Sequence, residues 1–223
     1  MLKPKKKITR KEIRHDPLLE ILYSTRELYN QNKNRILLFT LILVGIVSVI
    51  LIINRKNISK RVESNAMLAR AVSRMGTDVD QALAEFDILL KTFPESEAST
   101  TAHFYLGRIY NSIDSLDVAE FNFRTYLELA PDGPLTTATL SYLGSLALQK
   151  GDPSLAGDFF EQAGRESLTE YVAGTNLLNG AEAFITAEEY DRAKELILAI
   201  PNSTLFKEKV EFLKTKISLL SNS

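Results

Sequence analysis

The sequence predicts an all-α protein: a single N-terminal transmembrane helix, then an α-solenoid of about four helix pairs on a 37-residue period, closed by a C-terminal capping helix. Three observations carry this. Residues 36–53 read ILLFTLILVGIVSVILII, uncharged, with fifteen of eighteen positions Leu, Ile, Val or Phe. Ala82, Ala119, Ala156 and Ala193 stand 37 residues apart, and Phe86, Phe123, Phe160 and Ile197 follow each by four. The chain then ends with Phe206, Val210, Leu213, Ile217 and Leu220 at helical spacing. A lag between 20 and 50 residues marks stacked supersecondary units, each unable to bury its apolar face alone.

Residues 1–35 form a basic tail, with ten Lys/Arg against four Asp/Glu. Thr9 and Glu12 have the spacing of a capping box, with Ile8 and Ile13 placed as its hydrophobic staple. Asp16 before Pro17 is a second N-cap, with Pro at the first helical position. Leu18, Ile21, Leu22, Leu28 and Tyr29 share one stripe, so residues 17–32 are expected to be an amphipathic helix, on the membrane or leading into the span. A tail drawn to anionic lipid and a cytoplasmic docking element both fit this pattern.

Residues 36–53 span about 27 Å as a helix, close to the roughly 30 Å of hydrocarbon in a bilayer. Lys33 and Arg35 before it, and Arg55 and Lys56 after it, can snorkel to the headgroups. The apolar run is longer than a secretory signal's and no small-residue cleavage site follows, so an uncleaved anchor is expected. Ten Lys/Arg in the short tail argue that it stays in the cytoplasm. Close to the span the balance is opposite: Arg26, Lys33 and Arg35 precede it, while Arg55, Lys56, Lys60, Arg61 and Arg70 follow. A long acidic body is translocated with little regard to charge, and the expected topology is N-terminus in, C-terminus out. Gly45 and Ser48 make only a weak packing face.

Residues 54–62 are expected to be a juxtamembrane linker, residues 63–205 the solenoid, and residues 206–223 the capping helix with a frayed end. Within residues 103–131, one helix carries Leu106, Gly107 and Tyr110, and the next carries Ala119, Phe123 and Tyr126 before Pro131 stops it. Small residues let two helices approach and the aromatics fill the space beside them. This order resembles the tetratricopeptide repeat (TPR). The third unit keeps Leu143, Gly144, Ala147, Gly151, Ala156, Phe160 and Ala163, with Leu168 at the Pro position. The fourth keeps Leu177, Ala181, Phe184 and Ala193, and the first is degenerate, with Arg70 at the small-residue position. Against a family period of about 34, the extra residues are expected to lengthen the links between pairs.

The resemblance implies a partner groove on the first helix of each pair. Carried over by position, its residues are Thr101, Phe104, Arg108 and Asn111, then Ala138, Ser141, Ser145 and Leu148, then Thr175, Leu178, Glu182 and Ile185. If exposed, Phe104, Leu178 and Ile185 suit an extended or helical peptide; the neighbouring repeat or the C-terminal helix would otherwise cover them.

Catalytic chemistry has little to work with. There is no Cys, and the two histidines are His15 in the tail and His103, expected to be half-buried and structural. No phosphate loop and no metal-ligand spacing occurs, so no enzyme activity, cofactor or metal is expected. Charge divides the chain instead. Residues 75–205 hold twenty-one Asp/Glu against seven Lys/Arg, whereas residues 54–74 are net +5 and residues 206–223 net +2. An acidic body repels nucleic acid and anionic lipid and favours basic or apolar protein segments; the same charge also keeps a domain soluble.

Taken together, the tail, span, TPR-like body and closing helix resemble the single-pass bacterial inner-membrane proteins that serve as ancillary subunits of the Sec translocon. The resemblance implies a periplasmic scaffold in contact with the translocon and periplasmic chaperones. Two other arrangements fit the same layout: a self-associating structural or assembly factor for envelope or division machinery, and an accessory subunit of a cytochrome-maturation complex.

Overall fold

The computed structural model describes residues 17–221. Asp16, with the capping box of Thr9 and Glu12, lies outside the described residues, as do Asn222 and Ser223. The described chain is all-helical, with nine helices and no strand among the described residues. In order these are α1 (Pro17–Arg74), α2 (Val79–Thr92), α3 (Glu97–Ser112), α4 (Leu116–Leu129), α5 (Thr136–Gln149), α6 (Pro153–Arg165), α7 (Glu170–Thr186), α8 (Tyr190–Ala199) and α9 (Thr204–Leu220).

By packing, the chain divides between Ser59 and Lys60 into two units. In the first, α1 is continuous from Pro17 and has a stretch long and apolar enough to cross a membrane. Every residue from 36 to 53 is solvent-exposed. Thr40 and Ser48 turn their hydroxyls back onto the carbonyls of Ile36 and Val44, at 2.8 and 2.7 Å, so neither presents an unsatisfied group. Residues 54–62 are helical. From Leu18 to Arg74 there is no proline and a single glycine, Gly45, so nothing breaks the helix before Gly76.

The second unit is built of helix pairs. Leu116, Pro153 and Tyr190 begin α4, α6 and α8, each 37 residues after the last, and Val79 begins α2 on the same lag. The turns entering these helices repeat as well. Asp114, Gly151 and Glu188 take the left-handed conformation, with φ of 60°, 80° and 63°. After each, the next residue's N–H bonds back to a carbonyl five positions earlier: Ser115 to Tyr110, Asp152 to Ala147, and Glu189 to Phe184. These bonds satisfy the carbonyls left open at a helix end. The turn before α2 lacks this conformation, in keeping with a degenerate first unit.

The alanines of the period, Ala82, Ala119, Ala156 and Ala193, are all 0 % exposed, and Phe86, Phe123, Phe160 and Ile197 are buried beside them. Gly107 and Gly144 show why the position is small. A Cβ on Gly107 would meet the Phe123 ring at 2.7 Å, and one on Gly144 would meet Phe160 at 2.9 Å. In the first helix pair Ala71, not residue 70, joins Ala82 and Phe86 in the core, and Arg70 points to solvent. The link between α4 and α5 takes residues 130–135, longer than residues 93–96 and 166–169 at the other two. Only this link is lengthened; where the link has four residues the 37-residue period is kept by a longer first helix, 16 residues in α3 and 17 in α7 against 14 in α5.

From α2 onward each helix packs on its sequence neighbour, and α9 packs on α7 and α8. Phe206, Leu213 and Ile217 of α9 are buried, while Leu220 stays partly exposed.

Candidate functional site

The first helix of a pair, with its stripe at every third or fourth position, is where the expected groove residues fall. The structure brings the second-unit set together on α3. Phe104 is buried, edge-on to Phe123, Tyr126 and Tyr142. Arg108 is exposed, its guanidinium 5.9 Å from the centres of the Phe104 and Tyr105 rings. Thr101 and Asn111 are half-buried, and Asn111 Oδ1 is buried without a hydrogen-bond partner. His103 is half-buried, with Nδ1 3.0 Å from Asn122 Oδ1; because Asn122 Nδ2 donates to the Val118 carbonyl, the imidazole N–H is the donor to Oδ1.

On α5, Ser141 reaches Asn176 Oδ1 on α7 at 2.7 Å, and Ser145 donates to the Ser141 carbonyl at 3.0 Å. Ala138 is half-buried and Leu148 is 43 % exposed. On α7, Thr175 donates to the Tyr171 carbonyl. Leu178 and Ile185 do not lie open: they are 4 % and 3 % exposed, in one apolar cluster with Phe206, Leu213 and Ile217 of α9. Glu182 pairs with Lys209 of α9 at 3.3 Å. Of the two alternatives left open for Phe104, Leu178 and Ile185, the structure shows cover rather than exposure. Tyr142 from the following pair covers the first, and the C-terminal helix lies over the other two.

A different opening lies between α4, α5 and α6, a cleft of about 290 Å³. Leu143, Leu146 and Ala147 form its buried floor, and half-buried Leu155 and Phe159 form its wall. Glu120, Lys150 and Asp152 stand at its mouth. Lys150 Nζ bridges Asp117 at 2.6 Å and Glu120 at 2.7 Å. Arg124 bonds Glu120 from the next turn, with its guanidinium 5.5 Å from the centre of the Phe159 ring. Asp152 caps α6 by accepting the Leu155 N–H.

These contacts set the charge of the mouth. The hydrogen bond from Lys150 holds the Asp117 and Glu120 carboxyls below their ordinary range, Arg124 adding to the effect at Glu120. The same bonds, to Asp117 first and then Glu120, raise the Lys150 ammonium. A second ionic node joins α6 and α8. There Arg192 pairs with Asp158, Glu161 and Glu189, its guanidinium 3.8 Å from the centre of the Phe184 ring. Ser154 donates to Glu189, and that bond chiefly lowers the carboxyl.

Sequence reasoning missed the cleft and both nodes, yet a signal was present. Lys150 lies 33 and 30 residues from its partners, and Arg192 lies 34 and 31 from Asp158 and Glu161. Residues slightly less than one period apart become neighbours when pairs stack. Among the described residues no group of three His, Cys, Asp or Glu is placed to hold a metal.

Comparison with protein-family models and with curated proteins finds no match.

Proposed function

We propose that this chain is a non-enzymatic, membrane-tethered scaffold whose TPR-like solenoid binds proteins outside the cytoplasm of a bacterial cell. One observation carries the reading. The eighteen residues 36–53, fifteen of them Leu, Ile, Val or Phe, are all exposed on a single helix, and none is packed against the protein. A core helix of a soluble domain is covered by its neighbours, whereas this one is left for lipid to cover.

The repeated helix pairs, the shared left-handed turns and the small-residue contacts of Gly107 and Gly144 support a TPR-like stacking of the second unit. The ionic nodes tie carboxylates and cations to one another, as a packing role requires. The acidic surface favours basic or apolar protein segments, and the Sec translocon with periplasmic chaperones is the proposed setting.

Crosslinking in intact membranes, followed by capture of the full-length chain, tests the scaffold. Protein partners that depend on residues 63–205 are expected; none would overturn it. A reporter active only outside the cytoplasm, fused after Ser223, tests the topology, and activity confined to the cytoplasm would reverse it.

A second reading, self-association, has its own observation. Leu205, Phe212 and Leu219 recur every seven residues on α9 and are 70, 61 and 70 % exposed. Light scattering of the full-length protein in detergent separates the two readings, since a strict monomer removes the second.

A further inference from the structure

The cleft between α4, α5 and α6 combines two properties. Its floor is apolar and buried, and its mouth is acidic. At about 290 Å³ it stands at the lower edge of small-ligand pockets, roughly 300–1,000 Å³, and suits one inserted side chain. Around the opening three carboxylates, Asp117, Glu120 and Asp152, face two cations, Lys150 and Arg124. Both cations are already engaged: Lys150 between Asp117 and Glu120, Arg124 on Glu120 and over the Phe159 ring. The surplus is negative, and the surrounding residues 75–205 are net −14.

The expected groove offers less. Its apolar members Phe104, Leu178 and Ile185 are covered, and Ser141 is bonded to Asn176 across α5 and α7.

Resting on the scaffold reading, we propose that this cleft is the partner site, and that it takes a peptide segment with one leucine- or phenylalanine-sized side chain flanked by Lys or Arg. The apolar side chain enters against Leu143, Leu146, Leu155 and Phe159. The flanking cations meet Asp152, the mouth carboxylate that takes no part in these ion pairs, and the net negative surface around it. Charge of this sign speeds encounter and rejects acidic segments.

Three labelled heptapeptides test this on the full-length protein in detergent, by fluorescence anisotropy. One carries a central leucine with two lysines at each end. The second replaces the lysines by glutamates, and the third replaces the leucine by glycine. The lysine–leucine peptide is expected to bind, and each of the others at least tenfold more weakly. Leu155→Lys, which sets a cation in the half-exposed wall, is expected to weaken binding at least tenfold with an unchanged circular dichroism spectrum. Ala147→Leu fills the floor and is expected to do the same.

Equal binding of the glycine peptide, tighter binding of the glutamate peptide, or no binding at all overturns the proposal. So does unchanged affinity in Leu155→Lys. Membrane crosslinks that persist in Leu155→Lys would remove the cleft assignment while leaving the scaffold intact; absence of crosslinks in the unaltered chain removes the scaffold itself.

Discussion

Three residues one period apart, Asp114, Gly151 and Glu188, hold the same left-handed backbone with three different side chains. Only glycine adopts it freely, while a side chain there costs about 1–2 kcal/mol. Glu188→Gly is therefore expected to raise stability by roughly 0.5 kcal/mol, the relief of strain exceeding the added freedom of the unfolded chain. Gly151→Ala is expected to lower stability by about 1 kcal/mol. Urea denaturation of the two variants checks both signs, and a loss in Glu188→Gly would show that the Glu188 side chain does more than occupy the turn. The glycine in this column was legible in the sequence as part of the third unit. The Asp and Glu were not, because the Tyr110 and Phe184 carbonyls that fix their turns are set by helix ends that sequence locates only to within a few residues.

Elements are held to one another by apolar clusters, with ionic nodes at their edges. The Lys150 node has a definite pH signature. Asp117 and Glu120 are depressed in the folded state, so what they contribute is present above the ordinary carboxylate range and is lost as pH falls through the folded values. Lys150 is raised, so its contribution is present below the ordinary lysine range and is lost as pH climbs through its folded value. Lys150→Met is accordingly expected to lower stability by a near-constant amount between pH 6 and 9, where the contribution is fully present, and to flatten the fall below about pH 5. Thermal melts across that range test it. For α9 the apolar term dominates: Leu213 is fully buried, and Leu213→Ala is expected to cost about 2–5 kcal/mol. An intact melting temperature in that variant would mean that α9 is not seated on α7 and α8 in solution.

How much of this the sequence disclosed follows the same division. The second helix of each pair was readable, because Ala119 and Phe123 meet partners within their own pair and leave a fixed spacing. The first helix was readable as a helix but not as a surface. Whether Leu178 and Ile185 face water depends on α9, some twenty residues on, and no local pattern states where that helix lies. The cleft depends on three helices at once, so Glu120, Ala147 and Phe159 carry no shared motif.

At the level of the whole molecule, the sharp boundary is between residues that want lipid and residues that want water. Full-length protein is expected to remain in the membrane fraction through alkaline extraction. Ile46→Arg combined with Val47→Arg should release it, since each Arg near the centre of a span opposes insertion by about 2.5–3.5 kcal/mol. Retention of that double variant in the membrane would mean that residues 36–53 are not what holds the chain there.

The cover that α9 places over α7 also has a consequence in time. A chain leaves the ribosome at about 5–20 residues per second. The α7 segment carrying Leu178 and Ile185 is therefore synthesised a second or more before the last turns of α9 exist. Helix pairs close far faster than that. For this interval the newborn protein presents an apolar strip that the finished one conceals, and any factor escorting it would find its handle there and lose it once the final helix arrives.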